Sequence, residues 1–343
     1  MKKVLKDFFQ TNLHKKIDGI GVFVYNDYNT YDSSDPHIEE CFDEFECREV
    51  EEAFEKLFIK TYIYPNEESF INDLSRLKNS KVFVYSMAQN ITGYSRRALI
   101  PAICEYYGFC NLSADTYTSV IGVNKRASYT LLSNFSNYFP HTSFISYYNL
   151  ESINKLLETH KDRIIIKPDC ESCCIDVKIF NKIDAGLIFN YCKNMLKKYK
   201  YLILQDFIVG REVGITVVKF NNRYISLRPI EIKYRSNKEY LTNLDSRYTN
   251  LDFIFTDVPH EVEDIAISIA NELDFTSISR FDFRICSDDK FYLFDISPTP
   301  TMSKGSSCNL AFIDAVDGDY KSVYQFLVFN TLFKPALDST EHN

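Results

Sequence analysis

Apolar positions along the first hundred residues switch repeatedly between a period of two and a period near 3.6. Residues 19–25, 59–64 and 81–86 read as strands, and residues 49–58, 67–77 and 95–107 as amphipathic helices, the last closed by Gly108 in a position that suits a left-handed helix end. This alternation predicts an α/β lobe over residues 1–115. Residues 116–203 read as a small α+β lobe. It has helical segments around 123–132, 150–157 and 184–196, a break at Pro140, and two apolar strands, 163–167 and 174–180, joined by a short polar loop. From 204 to 343 sheet dominates. Strands are predicted at 201–206, which leads in from the middle lobe, and at 212–220, 224–232, 278–285 and 291–296, with helices over 261–273 and 319–333. The acidic stretch 39–52 reads as a solvated helix face.

Length and composition sharpen this picture. A chain of 343 residues suits two or three lobes of roughly 100 to 150 residues each, and 45% hydrophobic with 25% charged residues is ordinary for a globular protein. No run approaches the roughly 20 apolar residues that cross a bilayer, and the opening MKKVLKDFFQTNLHKK lacks an export signal, so a cytoplasmic protein with no membrane partner is expected. The cysteines are then expected as free thiols. A net charge of −8, with basic runs only as short as Lys197, Lys198 and Lys200, argues against a nucleic-acid partner.

Candidate chemistry concentrates late in the chain. In Arg280-Phe-Asp282-Phe and, after a turn, Phe-Asp295-Ile-Ser297-Pro-Thr-Pro300, strand alternation puts Arg280 and Asp282 on one face and Asp295 with Ser297 on one face of the return strand. Such a hairpin gathers either hard-oxygen ligands for Mg²⁺ or an Arg–Asp ion pair at the surface. Lys167 ends an all-apolar strand, where burying an unpaired ammonium costs roughly several kcal/mol, so either an anion stands beside it or the strand end emerges there into water. The loop 169–176 holds Cys170, Cys173 and Cys174 without the companion pair a zinc site needs.

Taken in order, these segments resemble the D-alanine–D-alanine ligase branch of the ATP-grasp superfamily. The hallmark R-x-D-F, a strand, then E-x-N-x-x-P-G-M-T and a nearby serine is matched by Arg280, Asp282, Phe283, Asp295, Ser297, Pro300, Thr301, Met302, Ser303 and Ser306. Arg96-Arg97-Ala with Pro101, Glu105 and Gly108 is similar to R-x-a-x-x-P-x-x-x-E-x-x-G-I. Asn124-Lys125, Lys167-Pro168, Gln205 to Glu212, and Asp245-Ser-Arg247-Tyr248 resemble further family segments. The resemblance implies an ATP-grasp fold with an N-terminal α/β pre-ATP-grasp lobe, a small central α+β lid lobe and a C-terminal mixed-sheet lobe. It also implies ATP and Mg²⁺ as cofactors and a homodimer.

By the same resemblance, Lys125 and Lys167 contact the nucleotide phosphates, Gln205, Phe207 and Ile208 the adenine, and Glu212 the ribose. Asp282, Asp295 and Ser297 hold magnesium. Arg280 faces an oxyanion, Arg247 the γ-phosphate, and Ser306 a substrate carboxylate. The implied reaction joins a small-molecule carboxylate to an amino-acid amine through an acyl phosphate. Aspartate stands at 295 where the family has Glu, serine at 297 where it has Asn, and the phosphate loop lacks glycine. The amino-terminal G-G-x-S-x-E signature is not visible near 19–26. The missing signature points to a specialised ligase rather than cell-wall D-alanyl-D-alanine synthesis, and the altered metal hairpin and loop point to a regulatory relative. A true D-alanine–D-alanine ligase and a nucleotide-binding regulatory relative stand as alternatives.

Overall fold

The computed structural model describes residues 1–30, 32, 34–89, 93–235 and 251–333. After helix α1 (Lys2–Asn12), strands β1 (Ile17–Val24), β2 (Phe58–Tyr64), β3 (Val82–Ser86) and β4 (Cys110–Asn111) form a parallel sheet in the order β2-β1-β3-β4. Helices α2 (Glu44–Leu57), α3 (Glu67–Leu77) and α4 (Leu99–Tyr107) accompany it. Covered on both faces, β1 and β3 bury consecutive residues, Val22 to Val24 and Val82 to Tyr85. The α2 helix starts five residues before the predicted 49. The Asp43 carboxylate accepts the Glu46 N–H, the Glu46 side chain accepts the Asp43 N–H, and the acidic first turn complements the helix dipole. Gly108 takes φ 69°, the left-handed end expected of it.

The middle of the chain carries α5 (Thr116–Val123), α6 (Lys125–Leu131), β5 (Thr142–Ile145), α7 (Ile153–Glu158), β6 (Arg163–Pro168), β7 (Lys178–Asn181), α8 (Ala185–Met195) and β8 (Leu202–Asp206). Its antiparallel sheet runs β5-β8-β6-β7. The helical segment predicted around 123–132 is α6; α5 precedes it, and the two are parted at Asn124, whose side chain caps α6 by accepting the Ala127 N–H at 3.0 Å. The strand predicted from 174 begins only at Lys178, because Cys173, Cys174 and Asp176 take φ of 47°, 57° and 53°, which no strand accommodates.

The third sheet comprises β9 (Arg211–Phe220), β10 (Arg223–Ser226), β11 (Ile230–Tyr234), β12 (Leu251–Phe255), β13 (Ile278–Ile285) and β14 (Phe291–Ser297). It is antiparallel, ordered β12-β11-β9-β13-β14, with β10 paired to β9. The run predicted as one strand over 224–232 divides before Pro229, which has no N–H to give a ladder. Helix α9 (His260–Glu272) buries Val262, Ala266 and Ile269 against Val213, Ile215 and Phe281. Helices α10 (Ser307–Val316) and α11 (Ser322–Leu332) pack on the sheet's other side and also on α1 and α2. One core therefore joins both ends of the chain, with Phe9, Phe54, Tyr85, Phe312, Tyr324 and Phe326 in it. Among the described residues, no helix is long and apolar enough to cross a membrane.

Candidate active site

A cleft of about 610 Å³ opens where the three sheets meet. Beyond the carboxyl end of β3, Met87 and Gln89 form its floor on the first-sheet side, the usual place for ligands of an open parallel sheet. Opposite, the segment after β14 approaches α5 so closely that a Cβ at Gly122 would lie 2.3 Å from the Pro298 ring. Glycine at 122 is what lets Pro298 to Thr301 reach the cleft.

The β13–β14 pair supplies most of the charge. Arg280 lies opposite Ser297 and Asp282 opposite Asp295, and the register then slips so that Phe283 faces Leu293. This bulge at Phe294 re-aims the strand, and Phe294 and Asp295 both line the cleft. Arg280 grips Asp282 through two hydrogen bonds, Nε to Oδ1 at 2.8 Å and Nη2 to Oδ2 at 2.9 Å. The pair predicted as an alternative to a metal site thus forms, but inside the cleft rather than on the surface. Lys125, at the start of α6, pairs with Asp295 at 3.0 Å and donates to the Glu171 carbonyl at 3.0 Å. Lys167, at the end of β6, is buried and donates to the Phe294 carbonyl at 3.1 Å. Burial pulls its pKa down to about 8, with Asp295 opposing and Lys125 adding to the shift. Burial raises the Asp295 pKa, but the Lys125 and Lys167 ammoniums outweigh it and hold the carboxyl below its ordinary value. Asp282 is pushed up by burial against the pull of Arg280.

Gln205, Phe207, Ile208 and Glu212 line the other end. The Gln205 amide donates to Thr142 Oγ1 at 2.8 Å and to the Tyr129 hydroxyl at 3.1 Å. The Phe207 N–H donates to the Arg163 carbonyl at 3.0 Å. Glu212 pairs with Arg284 at 2.8 Å and accepts from the Tyr234 hydroxyl, while burial raises its pKa against the pull of Arg284. Arg284 continues the alternation of Arg280 and Asp282, so strand periodicity was the signal that could have found it. Tyr129 and Tyr234 carried no such signal.

Two expectations need correction and one falls elsewhere. The acidic stretch 39–52 is not simply a solvated face. Glu40 is buried and accepts from both terminal Arg96 nitrogens at 2.9 Å, Glu46 accepts from Ser303 at 2.9 Å, and Glu49 accepts the Lys304 N–H at 2.7 Å, and all three line the cleft. Charge runs look alike whether solvated or folded inward, so the sequence offered no distinction. Ser306 does not line the cleft: fully buried, it caps α10 by accepting the Asn309 N–H at 3.2 Å, and Ser303 and Lys304 stand in the wall instead. Arg247, with Asp245 to Tyr248, lies outside the described residues.

The loop 169–176 supplies positive φ at cysteine and aspartate where glycine was missing, and it is fastened to the first lobe. Arg96 donates to Ser172 Oγ at 2.8 Å and faces Glu171 at 3.4 Å, and His37 bridges Asp35 at 3.0 Å and Glu171 at 3.4 Å.

The donor set suits magnesium. Two carboxylates in register, with the Ser297 hydroxyl beside them, offer hard oxygens, and among the described residues no group of three or more His, Cys, Asp or Glu side chains forms a fuller metal cage. Magnesium typically reaches a protein in this way, completing its shell with phosphate and water.

Residues 144–327 match the family model described as D-ala D-ala ligase C-terminus, which spans more than half of the chain. The chain is 20% identical over 268 residues to the D-alanine–D-alanine ligase of Aquifex aeolicus, covering 76% of this chain and 86% of that protein. To the Thermotoga petrophila enzyme of the same name it is 23% identical over 264 residues, 75% of this chain and 82% of the relative. The fold is shared with the D-alanine–D-alanine ligase of Bacillus anthracis solved with ATP, at a TM-score of 0.68 and 15% identity over 92% of this chain and 98% of that one. It is shared also with the VanG D-Ala:D-Ser ligase of Enterococcus faecalis, at 0.67 and 16% identity over 92% of this chain and all (100%) of that one. With its three sheets meeting at one charged cleft, the expected ATP-grasp architecture is present, and the chain belongs to the D-alanine–D-alanine ligase family.

Proposed function

We propose that the protein is an ATP- and magnesium-dependent ligase that joins a substrate carboxylate to the amine of an amino acid, releasing ADP and phosphate through an acyl phosphate. The observation that carries this reading is convergence: Lys125, Lys167, Arg280, Asp282 and Asp295, from four separate elements, all line one cleft. Four of the five charges pair as Lys125–Asp295 and Arg280–Asp282, with Lys167 on the Phe294 carbonyl beside them. That arrangement avoids isolated charges at low dielectric and leaves each group exchangeable.

In this reading the Lys125 and Lys167 ammoniums hold the triphosphate, and Gln205 to Ile208 with Glu212 hold the nucleoside. Asp282, Asp295 and Ser297 hold magnesium, which when bound neutralises phosphate oxygens during transfer. As Lys125 turns to phosphate, Asp295 is released from its pair. Arg280, likewise exchanged from Asp282, faces the oxyanion formed when the amine attacks. Arg247 and the Thr301 backbone complete this assignment.

The absence of a G-G-x-S-x-E stretch near 19–26 and the acidic wall from α2 favour a substrate pair other than two D-alanines, in specialised metabolism. Incubation with Mg-ATP and pools of amino and carboxylic acids tests the proposal, and acid-dependent release of ADP and phosphate is expected. Turnover with D-alanine alone would make it a D-alanine–D-alanine ligase in activity too. Tight ATP binding without turnover on any pool would overturn the ligase reading. It would favour a nucleotide-binding regulator, the alternative that the shorter Asp295 and the neutral Ser297 suggest.

A further inference from the structure

Arg96 and Arg97 are adjacent in the turn before α4 and have opposite circumstances. Arg96 is buried on Glu40. Arg97 is half-buried, lines the cleft, and makes no ion pair with any carboxylate among the described residues. Its Nε donates to Gln89 Oε1 at 2.7 Å, and Nη1 makes only a long 3.4 Å contact with the Thr299 carbonyl. Gln89 is itself fixed, its N–H donating to Asn26 Oδ1 at 2.7 Å and its amide to the Glu40 carbonyl at 3.5 Å. Nε and Nη1 are thus held, while among the described residues no hydrogen bond or ion pair occupies Nη2 of this cleft-lining side chain.

The segment that Arg97 touches at Thr299 runs on to an acidic wall, where Ser303 donates to Glu46 and the Lys304 N–H to Glu49, and Glu39 and Asp43 line the same cleft; Lys125 and Lys167 are fastened earlier on that segment, to Asp295 and the Phe294 carbonyl. A triphosphate is repelled by the acidic wall and drawn to the two lysines. A small zwitterion suits the wall: its ammonium faces carboxylates, and its carboxylate matches the planar fork of a single arginine. We propose that Arg97 binds the carboxylate of an amino-acid substrate and so selects for it, an assignment that rests on the ligase reading above.

The test is calorimetric titration of the whole protein, saturated with magnesium and a non-hydrolysable ATP analogue, with both enantiomers of alanine and glutamate and with the matching alaninamides. At least one amino acid is expected to saturate the wild type, and its amide to bind at least tenfold more weakly. Arg97→Gln should weaken the acid about thirtyfold, with Arg97→Lys in between, while analogue affinity changes less than twofold in both variants and so reports an intact fold. Equal acid binding by wild type and Arg97→Gln would overturn the assignment. So would the absence of binding by every amino acid in the set, or a loss confined to the nucleotide analogue. If an acid binds through Arg97 but Mg-ATP then yields no ADP, the ligase reading fails and the Arg97 site stands.

Discussion

Among the described lysines Lys167 has the least ordinary environment, buried at the end of an apolar strand with a carbonyl, that of Phe294, as its one hydrogen-bond partner there. With its pKa near 8, much of its charge is lost in the free protein at pH 8.5, and a bound triphosphate would restore it. Nucleotide binding should therefore take up a proton at pH 8.5 and very little at pH 6.5. The checking measurement is the binding enthalpy in buffers of different ionisation heat, and no buffer dependence in the wild type at pH 8.5 would sink the idea. Lys167→Met should abolish that dependence. Arg280→Ala should lower turnover about a hundredfold, roughly 3 kcal/mol, and an unchanged kcat would remove Arg280 from the chemistry. Residues at this scale were legible where local pattern spoke: Arg280, Asp282, Asp295 and Lys167 stand out by strand alternation and by charge ending an apolar run. Glu40, Glu46 and Arg97 were not, because what each faces is decided by residues distant in the chain.

Among the elements, the contact between α5 and the turn after β14 sets the cleft's width. Gly122→Ala places a methyl 2.3 Å from the Pro298 ring, so one backbone must move. Overpacking of this kind should destabilise by about 1–3 kcal/mol in urea unfolding. Because Asp295 and Ser297 precede Pro298 directly, turnover should fall as well, and wild-type stability with wild-type activity would contradict this reading. Most strands and helices of the first and third sheets follow from periodicity, including β13 over its whole length. Less legible were β5 and β12, which are short, α10, which is apolar nearly all round, and α1, whose amphipathic face of Leu5 and Phe9 lies in a stretch read as a polar start. The loop 169–176 shows the limit well: it lacks glycine, yet Cys173, Cys174 and Asp176 adopt left-handed backbone themselves, which no local pattern foretells.

For the whole molecule, the fastening between the first lobe and the loop 169–176 should respond to pH. The Glu171 carboxylate, against burial and with help from Asp35, raises the His37 pKa to about 9, above the ordinary 6.5. A raised histidine contributes fully below about 6.5 and loses its contribution as pH climbs through 9. Amide exchange across 169–176, corrected for the intrinsic base-catalysed rate, should quicken between pH 7 and 9.5, and His37→Gln should remove that additional dependence. A wild type with no excess quickening would show that the bridge does not hold the loop. The three-sheet layout was legible from the order of elements. The shared core was not, since no local pattern announces that α1 and α2 meet α10 and α11.

That shared core bears on how the protein is made. Phe9 and Tyr85 are buried against Phe312 and Tyr324, which come from near the opposite end of the chain. At translation rates of roughly 5–20 residues per second, the nascent first sheet waits on the order of ten seconds or more with one greasy side bare. Until the final helices emerge, that apolar face is open to aggregation with other unfinished chains.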